Sequence, residues 1–179
     1  MDKRLYTRIH GRLCCLREID KATADGFLSE SHRLGTARAK YRYGLFYKEN
    51  LVAVALFSKL RVWPREEGAY RSAEWVRYAS LPQTRVVGGM GKFLQHFIQT
   101  VHPDDVMSYA DSEWSQGAAY LKLGFEKVAE QPPQAFWWDP VGQKRYPLKR
   151  YPTGKPGWEK VYSGGNLKFV YRVWGSPGK

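Results

Sequence analysis

Sulfur and acid are what this chain is short of. Its 179 residues hold only two cysteines, and these are neighbours, Cys14 and Cys15. Adjacent cysteines rarely bridge, and one pair makes no disulfide framework, so a reduced, cytoplasmic setting is the expectation. The four histidines (His10, His32, His96, His102) stand at no ligand spacing from the cysteines, so no metal site is expected. No apolar run reaches the roughly 18 residues of a membrane span. No apolar stretch follows the charged opening MDKRLYTRIHGR, so neither a membrane helix nor a secretory leader is expected. Asp and Glu number 17 against 29 Lys and Arg, which leaves a net charge of +12. A field of that sign favours anionic partners: nucleic acid, an anionic membrane or a phosphate-rich cofactor.

What the chain has in abundance is flat rings. Aromatic residues make up 15% of it, with 7 Trp and 12 Tyr. Such rings fill cores, and they also stack on bases or on an adenine. Hydrophobic content of 43% and charged content of 26% are globular values, and the length suits one domain with a short appendage. The charge is unevenly placed. From Pro140 to Lys179 nine bases (Lys144, Arg145, Lys149, Arg150, Lys155, Lys160, Lys168, Arg172, Lys179) face a single acid, Glu159. Aromatics alternate with them: Tyr146, Tyr151, Trp158 and Tyr162. The segment reads either as a solvated tail or as a polyanion-binding face, with Lys144, Arg145, Lys149, Arg150, Lys155 and Lys160 as the nucleic-acid contacts. A main domain over 1–139 and a basic extension over 140–179 follow.

Hydrophobic periodicity predicts a helix over Ala22–His32, with Phe27 and Leu28 on one side. Strands are expected over Tyr41–Tyr47, Leu51–Leu60 and Tyr70–Ser80, with a turn at Glu49-Asn50 and a polar loop over Pro64–Gly68. Phe93, Leu94, Phe97, Ile98 and Val101 recur at helical spacing over Lys92–Val101, and His102-Pro103 stops that helix. Val106–Ala110 reads as a strand. A helix capped by Asp111 or Ser112 is expected to run to Leu123 and close at Gly124. Strands then follow at Glu126–Ala129, Ala135–Trp138 and Asn166–Trp174. This alternation is an α/β (α+β) pattern.

Two motifs carry chemistry. In the first, Arg85, Val86, Val87, Gly88, Gly89, Met90, Gly91 and Lys92 lie between a strand and a helix. Three glycines in four residues let successive N–H groups turn to one point, and the following helix adds its positive end. That is a pyrophosphate cradle, or a glycine-rich connection with no ligand. The second motif is Trp114-Ser115-Gln116-Gly117-Ala118-Ala119-Tyr120-Leu121-Lys122-Leu123-Gly124-Phe125. A helix ending in Tyr-x-Lys-Leu-Gly-Phe, past a glycine loop and one short strand, resembles the Gcn5-related N-acetyltransferase (GNAT) superfamily over roughly Phe27 to Trp138.

The resemblance implies a mixed sheet flanked by helices, with acetyl-CoA or a related acyl-CoA as cofactor. The family's loop pattern, Gln/Arg-x-x-Gly-x-Gly/Ala, falls on Arg85, Gly88 and Met90, with Met90 in place of the usual small residue. An alternative register uses Gly89 and Gly91 and gives up the arginine. The resemblance makes Tyr120 the general acid toward the departing thiolate. It also implies that backbone N–H groups near Arg77–Ala79 polarise the acyl carbonyl.

A narrower likeness rests on Phe27-Leu28-x3-His32, Tyr43-Gly44-Leu45-Phe46, Val76-Arg77-Tyr78, Val86-Val87-Gly88-Gly89, Ser108-Tyr109-Ala110-Asp111 and Trp114-Ser115-x-Gly117. It is similar to the phage Mom-type DNA-modification proteins and to the GNAT-like domain of phage homing endonucleases. That likeness implies DNA as partner and His32, Arg77, Asp111 and Tyr120 as functional residues. His32 is expected to titrate near neutral pH. Each has a plainer reading: His32 ends a helix, Asp111 caps one, Arg77 pairs with an acid and Tyr120 fills a core. Two other functions stay open. One is a nucleic-acid-binding module without chemistry, favoured by Met90 and by the lack of a catalytic Glu on the Leu51–Leu60 strand. The other is an N-acetyltransferase for small-molecule or protein amines.

Overall fold

The computed structural model describes residues 7–66, 68–112 and 115–173. Trp114 and Trp174 lie outside the described residues. The chain packs as two compact units. One runs through Ser108 and takes back the chain from Tyr171, and the other is Tyr109–Val170.

The first unit is built around a sheet with antiparallel and parallel pairs. β1 (Thr7–His10) leads through a 3-10 turn (Gly11–Leu13) to β2 (Cys15–Glu18) and α1 (Lys21–Ser31). β3 (Tyr41–Tyr47) and β4 (Asn50–Phe57) form a hairpin, and β2 pairs antiparallel with β3. The hairpin turn is at Lys48-Glu49 rather than Glu49-Asn50. Both residues have positive φ, 46° and 63°, the geometry whose twist matches paired strands. β5 (Arg61–Arg65) pairs with the start of β6 (Gly68–Ser80), so Pro64 lies on an edge strand rather than in a loop. β7 (Thr84–Val87) leads into α2 (Gly89–Val101), and β8 (Asp105–Asp111) runs parallel to β6. The result is a mixed sheet with helices against it.

β4 explains why this unit holds together. Its last six residues are all buried, because both its faces are covered. Val54 and Leu56 pack with Ala24 and Leu28 of α1. On the other face Phe57 stacks on Phe97 of α2 at 4.1 Å and on Trp75 at 5.0 Å. Aromatic contacts of this kind add about 0.5–1.5 kcal/mol each beyond area burial. Phe93, Leu94 and Phe97 are the buried stripe of α2, at the spacing the sequence shows.

In the second unit α3 (Ala118–Lys122) is followed by β9 (Glu126–Gln131), which pairs antiparallel with β13 (Asn166–Arg172). The helix expected from Asp111 or Ser112 begins only at Ala118, because Gly117 takes a left-handed conformation (φ 73°) that cannot continue a helix backwards. The basic segment folds into a small sheet. β10 (Ala135–Asp139) is its central strand, with β11 (Lys144–Pro147) and β12 (Glu159–Tyr162) antiparallel on its two sides. Among the described residues no helix is long and apolar enough to cross a membrane.

Candidate functional site

β6 carries an irregularity at the point where chemistry is expected. Leu56 faces Arg77 but Phe57 faces Trp75, so Val76 is an extra residue on β6. A bulge of this kind breaks side-chain alternation. Trp75 and Tyr78 keep company with Phe57 and Phe93 on the α2 side. Val76 packs against the α1 cluster, and Arg77, opposite Leu56, is turned to that same side. Without the extra residue Arg77 would point toward α2.

The register also aims backbone amides. Leu81 N–H donates to Val52 C=O, so Val52–Leu81, Val54–Ala79 and Leu56–Arg77 are the pairs that exchange hydrogen bonds with β4. In an antiparallel ladder the intervening residues point the other way. The N–H groups of Tyr78 and Ser80 therefore face away from β4. The parallel pairing of β6 with β8 spans Ser72 to Glu74 on β6. Just beyond it the Ser108 hydroxyl donates to Trp75 C=O at 2.9 Å. A hydroxyl takes the acceptor there where a ladder N–H would otherwise serve.

His32 and Arg77 are brought together. Gly35 N–H donates to His32 C=O at 2.8 Å, and Arg77 Nε donates to Gly35 C=O at 3.3 Å. Arg77 also donates to Val76 C=O at 2.8 Å. His32 closes α1 as its C-cap, and its Nδ1 accepts the Leu34 N–H at 3.1 Å. Neutral imidazole with Nδ1 as acceptor carries its proton on Nε2. Burial pushes the His32 pKa down to about 4, and the Arg77 and Arg33 charges push the same way. The expectation that His32 titrates near neutrality is therefore corrected: at pH 7 it is a neutral N–H donor.

The glycine loop sits where the sequence places it. Gly88 opens α2 with φ 75°, no side chain caps the helix, and its first turn holds no acid. The first N–H groups of a helix have no partner inside it, and here they carry its positive end. A Cβ on Gly89 would come within 2.8 Å of Val86 Cγ1, so only glycine fits. Val86 is buried, Arg85, Val87 and Gly88 are exposed, and Met90, Gly91 and Lys92 are half-buried. Lys92 turns away from the role of a free phosphate ligand. Its ammonium donates to the carbonyls of Gly11 (3.1 Å) and Cys14 and ties the 3-10 turn to α2. Burial pushes the Cys14 thiol up, and Lys92 partly offsets this. The Tyr78 phenol is also raised by burial, with the charge of Arg85 acting against it.

In the second unit Tyr120 is half-buried, stacked on Phe169 at 5.3 Å and edge-on to Phe125 at 5.3 Å. Asp111 ends β8, and its C=O accepts the Ser115 N–H at 3.0 Å. In the small sheet Tyr146 stacks on Trp158 at 4.5 Å, and Trp137 Nε1 donates to Tyr151 C=O at 2.6 Å. Lys155 lies over Tyr151 and Trp158, Arg150 over Tyr151, and Lys160 over Tyr162. Lys144, Arg145 and Lys149 are exposed. The six cations do not share one face. Lys144 and Lys160 sit in register with Asp139 and Trp137, whereas Arg145 faces Trp138 on the opposite side. Among the described residues no group of three or more His, Cys, Asp or Glu gathers as metal ligands do.

No protein-family model and no curated protein matches the sequence. Solved structures do match. Ard1 from Thermoplasma volcanium aligns with a TM-score of 0.56 at 11% identity, over 90% of this chain and 99% of that one. The chain has a GNAT-type acetyltransferase fold. The spermidine/spermine N-acetyltransferase SpeG from Vibrio cholerae gives 0.54 at 10% identity, over 90% of this chain and 94% of that one. A Bacillus subtilis acetyltransferase in complex with CoA gives 0.51 at 12% identity, over 90% and 99%. Within this GNAT fold the bulged β6, the Gly88 loop and α2 follow one another along the chain.

Sequence reasoning missed the bulge, the Lys92 tie and the parallel pairing of β1 with β7. The bulge has no local signal, since it is fixed by pairing with β4. The tie has no local signal either, since Lys92 meets carbonyls 81 and 78 positions away in the chain.

Proposed function

We propose that this chain is an acyl-CoA-dependent N-acyltransferase whose acceptor is an amine on a nucleobase of DNA. The observation that carries the transferase part is the bulge at Val76. It leaves the Tyr78 and Ser80 amides aimed away from β4, on the strand that precedes an uncapped, glycine-opened helix. The fold supports this, because one aligned protein, SpeG, is a spermidine/spermine N-acetyltransferase. An acyl-CoA, when bound, supplies an acyl group activated as a thioester. The chain's own groups do the rest. The amides of Gly89, Met90 and Gly91 hold the pyrophosphate, and the amides of β6 stabilise negative charge on the carbonyl oxygen. The family resemblance gives Tyr120 the role of the acid toward sulfur and Asp111 that of the base toward the amine. Arg77 and neutral His32 serve as donors that orient the acceptor.

The nucleic-acid part rests on net charge and on the cation-laden aromatic sheet β10–β11–β12, together with the likeness to phage DNA-modification proteins. Lys149 and Arg150 anchor phosphates there, and a base must leave its stack to be modified. The test is mass spectrometry of nucleosides from DNA of cells expressing the protein, with Tyr120→Phe as control. An acylated nucleoside that disappears with Tyr120→Phe is expected. Unmodified nucleosides together with acylation of a protein or polyamine would overturn the acceptor while keeping the reaction.

A second reading has one observation in its favour. His32 has its only acceptor nitrogen engaged and is neutral at pH 7, which leaves Asp111 alone as a base. On that reading the fold is a nucleic-acid-binding module, and Tyr120→Phe changes nothing it does.

A further inference from the structure

We propose that Arg8 and Arg85 form a clamp for a second phosphate, the ribose 3′-phosphate that distinguishes CoA from 3′-dephospho-CoA. The proposal rests on the acyl-CoA reading above and extends that site to a residue of the N-terminal strand.

β1 and β7 run parallel in register, with Arg8 opposite Arg85, Ile9 opposite Val86 and His10 opposite Val87. Partners across such a pair lie about 4.8 Å apart and point to the same face. Val86 is buried and Ile9 half-buried, so they mark the inner face. Arg8, His10, Arg85 and Val87 are exposed and mark the outer one. Two guanidiniums thus stand side by side, and neither joins an ion pair among the described residues. Like charges directly opposite on neighbouring strands are destabilising, and arginine cannot shed its charge. The arrangement costs stability when empty and gains it when a dianion lies between the two forks.

Position fits the same ligand. Arg85 is three residues before Gly88, about 10 Å along an extended strand. With the pyrophosphate on the Gly88–Gly91 amides, the pair stands where the far phosphate of a nucleoside bisphosphate reaches. β1 is fixed there, not draped. Thr7 N–H donates to Gln83 C=O at 2.9 Å, and Lys92 holds the turn that follows β1. Charge complementarity selects a phosphate over a carboxylate, because two forks supply more donors than one carboxylate accepts.

The test is calorimetric titration of the full chain with CoA and with 3′-dephospho-CoA, for the wild type, Arg8→Ala and Arg8→Gln. The wild type is expected to bind CoA about tenfold more tightly than the dephospho form, as one charge-assisted contact supplies. Both variants lose that preference, bind 3′-dephospho-CoA as the wild type does, and melt no lower than it. Equal weakening toward both ligands, or no change toward either, overturns the clamp and leaves the cofactor reading standing. A wild type that binds neither ligand overturns the cofactor reading, and the clamp with it. A preference that survives in Arg8→Gln overturns the clamp even if Arg8→Ala fails to fold.

Discussion

Two helices of this protein open in the same way for opposite reasons. α2 and α3 each start at a left-handed glycine, Gly88 at φ 75° and Gly117 at φ 73°, and neither has a side-chain cap. Around Gly88 an added Cβ would meet nothing within 4 Å. At Gly117 it would fall 2.0 Å from the ring of Phe169, which also stacks on Tyr120. The first glycine keeps a helix end open, and the second lets an aromatic ring close over the chain. The same backbone angle leaves a helix end uncovered in one unit and serves packing in the other.

The contrast can be broken by substitution. The largest effect is expected for Gly117→Ala, which combines overpacking against Phe169 with left-handed strain. A loss of about 3 kcal/mol or more follows, seen as a fall in melting temperature of about 6 °C or more. A fall no larger than that of Gly88→Ala, about 2–4 °C, would mean that Gly117 is no more constrained than Gly88. Next is Tyr120→Phe, which keeps the ring stack and removes the hydroxyl. It is expected to lower kcat about 10²-fold or more with little change in KM or in melting temperature. Unchanged turnover would reduce Tyr120 to the packing role of its neighbours. Gly88→Ala should cost only about 1 kcal/mol of stability from its positive φ. Its main effect is to weaken acetyl-CoA several-fold by disturbing the amides of the loop, measured by titration.

The last effect concerns pH. His32 has a folded pKa of about 4, below the ordinary 6.5. The unfolded chain therefore takes up the proton first as pH falls. The stability due to neutral His32 is full above about pH 6.5 and is lost progressively down to about pH 4. For a half-buried group that loss is about 1–2 kcal/mol after solvent screening. His32→Gln, which retains an acceptor for the Leu34 amide, should flatten the melting-temperature profile between pH 6.5 and 4. An unaltered slope would show that His32 is not held neutral by burial beside Arg77.

Legibility followed the range of the forces. β3 begins and ends where the alternation of Tyr41–Tyr47 says it should, and α1 falls within one residue of its expected limits. Those elements are written in local periodicity. β4 stops at Phe57 rather than Leu60, because Glu74 N–H donates to the Ser58 hydroxyl instead of its carbonyl, and only the Ser58 N–H, which donates to Glu74 C=O, continues the pairing. β1, β2 and β7 went unseen because four residues with one or two apolar positions carry no period. β11 and β12 were hidden by the prolines and glycines between them. The site divides in the same way. The loop from Arg85 to Lys92 was readable as clustered glycines before an amphipathic helix. Arg77 reaches the end of α1 only because of the bulge, and the low pKa of His32 comes first from burial at that packed helix end, with the Arg77 charge adding to it. Both depend on strand register, which no single stretch of sequence specifies.

One titration bears most directly on the central claim that the bulged β6 and the open end of α2 form an acyl-CoA site. Acetyl-CoA added to the full chain should bind with a measurable dissociation constant at one site per chain, and Gly88→Ala should weaken it. No heat of binding at millimolar acetyl-CoA, with the protein folded by its melting profile, would contradict the account.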